Sequence, residues 1–102
     1  MGKYGFMVAK VEGSSMLPRL RPGSLILLLK TQNLKVGQVA IARRPDRPNL
    51  LVIKRVKVVT KNGYWLEGDN QSESDDSRIF GEVEKELVLG KFLFKYWPLF
   101  TN

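Results

Sequence analysis

A chain of 102 residues, 43% hydrophobic and 26% charged, has the size and composition of one soluble globular domain with a modest core. It contains no cysteine and no histidine. That excludes disulfides and thiol or imidazole catalysis, and leaves carboxylates and backbone as a poor donor set for zinc, copper or nickel. The net charge of +7 is unevenly placed: eight of the ten acids lie between Glu67 and Glu86. The rest of the chain is strongly basic, a surface that attracts nucleic acid or an anionic membrane, or simply stays solvated.

Taken in chain order, the elements are mostly strands. The N-terminal stretch lacks the apolar core and cleavage site of a secretory signal. Val8–Val11 is short and apolar, and Leu25–Leu29 is an aliphatic run of strand length after the Pro22-Gly23 turn. That run falls far short of the ~20 residues of a spanning helix. The sequence therefore predicts no transmembrane anchor and a cytoplasmic setting. Between these two strands, a short helical turn is expected after Met16. Val39–Ala42 forms the next strand and Arg44–Asn49 breaks it, because Pro45 and Pro48 lack ladder donors. Leu50–Val59 is β-branched, and Asn62-Gly63 turns it back into Tyr64–Glu67. Gly68–Arg78 reads as an acidic loop, and "LVLGKFLFKYW" closes the chain as one or two strands. The class is mainly β, a single domain over residues 1–102 built as a coiled sheet or barrel.

Two segments carry candidate chemistry. In Leu50–Val59, alternation puts Val52, Lys54, Val56 and Val58 on one face, with Ile53, Arg55 and Lys57 on the other. Lys54 is the one charge on an apolar face. Either it snorkels to the sheet edge, or it is buried with a pKa lowered from about 10.4 and serves as a general base. "EGSSMLPRL" sets Ser14 and Ser15 after Gly13, either as turn-capping hydroxyls or with one as a nucleophile. Without histidine, a Ser-Lys pair is the main remaining way to activate a hydroxyl. The acidic segment "GDNQSESDDSRIFG" can hold a lysine by hydrogen bonds, or be a flexible turn.

These segments, in this order, resemble the motifs of the signal peptidase I family of Ser-Lys proteases. "GSSMLPRL" is similar to its Ser-Met-x-Pro box, "VIKRV" to its lysine box and "GDNQSESDDSRIFG" to its Gly-Asp-Asn…Asp-Ser-Arg box. The ending "LVLGKFLFKYWP" is similar to its closing strand. Within that family, the compact length, "RRPDRPNLLVIKRV", "SDDSR" and "KYWP" resemble the soluble maturation proteases of nickel-type superoxide dismutase. The resemblance implies a signal-peptidase-like coiled β-sheet and a serine endopeptidase without a cofactor. It would remove an N-terminal leader from a precursor protein, a nickel-type dismutase in the narrower reading. Ser15 then matches the nucleophile, Lys54 the general base, and Ser74 a hydroxyl that orients the lysine. Met16, Pro18, Asp69, Asp76 and Arg78 match structural positions, and Arg55 pairs with Asp69. Gly13 stands where some members carry a serine donor to the oxyanion. The Ser15 N–H remains a candidate donor, and the second donor is unidentified.

Other readings stand beside this one. A self-cleaving peptidase of the LexA type would use the same Ser-Lys chemistry, although the chain shows no DNA-binding domain. A non-catalytic basic β-module would bind nucleic acid through Arg43, Arg44, Arg47 and Lys57. "YWPLF", Tyr96–Phe100, is a candidate for peripheral membrane contact.

Overall fold

Aliphatic and β-branched runs, separated by Gly, Pro and Asn-Gly turns, form seven strands in a computed structural model that describes residues 5–98. They are β1 (Phe6–Lys10), β2 (Leu25–Lys30), β3 (Val39–Arg44), β4 (Arg47–Val59), β5 (Gly63–Glu67), β6 (Val83–Glu84) and β7 (Val88–Trp97). A one-turn helix, α1 (Ser77–Phe80), lies between β5 and β6. The strands make one antiparallel sheet in the order β1-β2-β7-β3-β4-β5-β6, with β1 and β6 at its edges. The architecture is mainly β and a single domain, as the strand pattern predicts.

The central strand β3 is buried on both sides. Ala40 and Ala42 pack with Val56, Tyr64, Leu66, Val83 and Val88, whereas Val39 and Ile41 pack with Val11, Met16, Leu20, Ile26 and Leu28. Alternate residues of a strand face opposite sides, so these two cores cover the two faces of the sheet. Tyr64 ties the first core to the β2–β3 connection. Its hydroxyl donates to the Gln32 carbonyl at 2.7 Å and accepts from the Leu34 N–H at 2.9 Å.

Three sequence expectations need correction. Pro48 does not break the strand: β4 already begins at Arg47, and the register passes from Arg43↔Leu51 to Arg44↔Arg47. Pro48 thus sits in the bulge, where β3 asks for no ladder donor. Val58 leaves the apolar face and is 52% exposed, because a second irregularity between Val56 and Val58 resets the alternation. The acidic segment is more ordered than a loop. It contains a 3-10 turn at Gln71–Glu73 and the start of α1, and β6 follows with a further 3-10 turn at Lys85–Leu87. Leu99 and Phe100 of "YWPLF" lie outside the described residues.

Candidate active site

The connection from β1 to β2 carries the two serines. Gly13 opens it at φ +74°, a left-handed conformation that costs glycine little and other residues more. The chain then winds into a turn, with the Leu17 N–H donating to the Ser14 carbonyl at 3.2 Å and the Leu20 N–H to the Met16 carbonyl at 2.9 Å. Met16 is fully buried in the second core and anchors this turn, while Pro18 lies exposed at its outer side. From across the site, Asn70 holds the serines by two bonds. Its backbone N–H donates to the Ser15 carbonyl at 2.7 Å, and its Nδ2 to the Ser14 carbonyl at 3.0 Å. The Ser15 side chain is thereby aimed while its own N–H has no acceptor among the described residues.

Lys54 comes from the middle of β4, opposite Ala40 on β3. Only 5% of it is exposed, and its Nζ stands 2.7 Å from Ser15 Oγ in a hydrogen bond. Burial lowers its pKa from the ordinary lysine value. Asp76 and Asp75 oppose that shift, Arg44 and Arg78 assist it, and desolvation prevails. Of the two fates open to Lys54, snorkelling or burial, the fold imposes burial.

Asp76 organises the wall behind the lysine. This fully buried carboxylate accepts from the Gly68 N–H at 2.9 Å, from Ser74 Oγ at 2.7 Å, and from Arg78 Nε and Nη2 at 3.0 and 2.9 Å. Burial alone would raise its pKa, but these hydrogen bonds outweigh it and hold the group well below the usual carboxylate range. Ser74 therefore spends its proton on Asp76, and no hydrogen bond joins it to Lys54 among the described residues. Both residues do line the same groove. Arg55 and Asp69 form a two-pronged ion pair at 2.8 and 2.7 Å, and Arg55 Nη1 also donates to the Gly37 carbonyl. This pair ties β4 to the segment after β5 and does not touch the Ser15–Lys54 contact.

Gly68 and Asn70 escaped the sequence reading as individual residues, although both lie in the acidic box. A Cβ at Gly68 would come within 2.3 Å of Ser74 Oγ and 2.7 Å of the Ser15 carbonyl oxygen. Only glycine lets the end of β5 pass between the serine turn and Ser74. The signal available in the sequence was a Gly-Asp-Asn run directly after a strand.

Ser15 and Lys54 sit where two grooves meet. One, of about 430 Å³, runs between the end of β1 and Asn49–Ile53 of β4, with Met16 and Ile41 as its apolar floor. The other is lined by Glu12, Ser14, Glu73, Asp75 and Ile79. By contrast, two of the four basic residues that could meet nucleic acid, Arg43 and Arg44, are engaged by the chain itself. Arg43 donates to the Pro48 carbonyl, and Arg44 binds Asp46, reaches Asp75 and covers the Phe80 ring.

Comparison with known proteins gives the chain a family. Residues 2–91 match the family model described as Peptidase S24-like. Mitochondrial inner membrane protease subunit 1 of Xenopus tropicalis is 32% identical, over 86% of this chain and 67% of its own length. The ATP-independent inner membrane protease subunit 1a of Arabidopsis thaliana is 31% identical over 94% of this chain and 73% of its own. Subunit 2 of the Saccharomyces cerevisiae inner membrane protease is 32% identical over 89% and 68%. None of these three names a nickel-type dismutase, so the narrower resemblance gains no support. The cytoplasmic expectation is overturned, because these relatives are named as inner membrane proteases. No helix among the described residues is long and apolar enough to cross a membrane.

Proposed function

The chain belongs to the Peptidase S24-like family, and from that premise we propose that Ser15 and Lys54 form its catalytic pair. It is a serine peptidase of the signal-peptidase type. Its role in this reading is to cut an N-terminal leader from precursor proteins at a membrane surface. The whole described unit serves as one Ser-Lys catalytic domain. The observation that carries the reading is the 2.7 Å contact between a buried lysine amine and Ser15 Oγ.

The chemistry follows from that contact. Neutral Lys54 takes the Ser15 proton as Oγ attacks the scissile carbonyl. The oxyanion that develops is met by the unengaged Ser15 N–H, a donor placed before the reaction starts. Lys54, now an ammonium, returns the proton to the departing amine, and the acyl group stays on Ser15 as an ester. Lys54 then deprotonates a water that attacks the ester, and collapse of the second tetrahedral intermediate restores the hydroxyl. An extended leader reaches Ser15 along the groove between β1 and β4, where strand-edge backbone groups can pair with it. Met16 and Ile41 favour apolar side chains there. Asp76, Ser74 and Arg78 keep the lysine's surroundings rigid. Arg55, Asp69, Gly13 and Pro18 shape the two connections.

The test is incubation of the purified protein with leader-bearing precursors, followed by mass spectrometry. A nickel-type dismutase precursor belongs among the substrates, on the sequence resemblance alone. Leader loss with the wild type, and a fall of about a thousandfold or more in Ser15→Ala and Lys54→Met, is the expected result. Undiminished cleavage in either variant would end the Ser-Lys assignment.

A further inference from the structure

Asn70 grips the serine turn at two consecutive peptide units. Its Nδ2 donates to the Ser14 carbonyl at 3.0 Å, and its backbone N–H to the Ser15 carbonyl at 2.7 Å. These carbonyls belong to the peptide planes on either side of the Ser15 Cα. A trans peptide is rigid, so its carbonyl and the next residue's N–H point in opposite directions and turn together. Fixing the Ser14 carbonyl therefore fixes the Ser15 N–H. Ser15 lines both grooves and Asn70 lines neither, which sets the carbonyl edge of this plane at the back of the site and its N–H edge toward the cleft. That N–H has no acceptor among the described residues. The Ser14 carbonyl also accepts from the Leu17 N–H at 3.2 Å, but Leu17 is part of the same turn and moves with it. Asn70 supplies a reference from outside the turn. Its own amide is oriented by Ser72, whose Oγ donates to Oδ1 at 3.3 Å and leaves the N–H₂ end for Ser14.

We propose that the Asn70 side chain is the positioning residue for the oxyanion donor, holding the Ser14–Ser15 peptide so that the Ser15 N–H is aimed before substrate arrives. Without it the plane can turn over and present the Ser14 carbonyl, an acceptor, where the oxyanion develops. A donor fixed in advance stabilises the transition state more than the ground state, so the side chain acts on kcat rather than on substrate binding. No hydrogen bond joins Asn70 to Lys54 among the described residues, so the base is left as it is. The inference rests on the Ser15–Lys54 reading above, and adds the group that keeps its donor in place.

The test is steady-state cleavage of a leader-bearing precursor by Asn70→Ala and Asn70→Asp beside the wild type, with a crystal structure of Asn70→Ala. The alanine variant keeps the backbone bonds of residue 70 to Ser15 and Glu73 and removes only the amide. Its kcat should fall about tenfold to a hundredfold with KM within about twofold, and the acid limb of its pH profile should not move. Its Ser14–Ser15 peptide should be turned from the wild-type orientation. Asn70→Asp sets a carboxylate of nearly the same volume against the Ser14 carbonyl and should lose at least as much, and it carries the test should the alanine variant fold poorly. Undiminished kcat in a folded variant overturns the proposal. So does a loss confined to KM, or a displaced acid limb in Asn70→Ala, since the side chain would then shape the groove or act through the lysine. A peptide that keeps its orientation in the Asn70→Ala crystal overturns it whatever the activity. Cleavage that survives Ser15→Ala defeats the catalytic pair instead, whereas full activity in Asn70→Ala beside an inactive Ser15→Ala defeats this inference alone.

Discussion

In the proposed mechanism Lys54 works as a base only while it is neutral, and its burial lowers the pH at which that state is reached. Its pKa is depressed in the folded protein, so the active fraction grows as pH rises through that value and is nearly complete above it. Measured kcat/KM should climb about tenfold per pH unit on the acid limb and level off below the ordinary lysine pKa of about 10.4. A profile flat from acid to alkaline pH would remove lysine from the reaction. Lys54→Arg should be as inactive as Lys54→Met, because a guanidinium does not deprotonate in this range. Gly68 gives a second residue-scale prediction. Its missing Cβ is the space filled by Ser74 Oγ and the Ser15 carbonyl. Gly68→Ala should cost about 1–3 kcal/mol in urea unfolding and lower kcat by about tenfold or more, through displacement of the serine turn.

At the scale of elements, β4 and the acidic segment carry the site between them. Lys54 was legible in the alternation of Leu50–Val59 because β-branched residues surround it on one face. The bulge that turns Val58 outward was not, since a register shift depends on the partner strand. The acidic segment reads as a loop by composition, yet its own hydrogen bonds fold it into turns around Asp76. Asp76→Asn presents an amide N–H₂ to an array of donors and loses the charge that Arg78 answers. Thermal or urea unfolding should show a loss of roughly 2–4 kcal/mol, whereas Arg78→Lys, with Arg78 partly exposed, should lose less.

At the scale of the molecule, stability and charge are linked. The Asp76 and Asp69 carboxyls are held below their ordinary values by hydrogen bonds and by Arg55 and Arg78. Groups depressed on folding stabilise above the unfolded pKa of about 3.9, and that contribution disappears as pH falls through the folded values. The unfolding midpoint should therefore be steady from neutral pH to about 5 and drop steeply below about 4. Asp76→Asn should flatten that drop. What the sequence determined by itself was the class of the fold and the chemistry on offer. Strand periodicity and turn residues are local, and a chain without histidine or cysteine leaves few routes to an activated hydroxyl. What only the tertiary structure decided was the meeting of distant groups. Sheet order brings the β1–β2 turn to β4, burial depresses one lysine, and Asn70 and Gly68 clasp the serines. Each of these depends on contacts between segments far apart in the chain, and local patterning carries no record of such contacts.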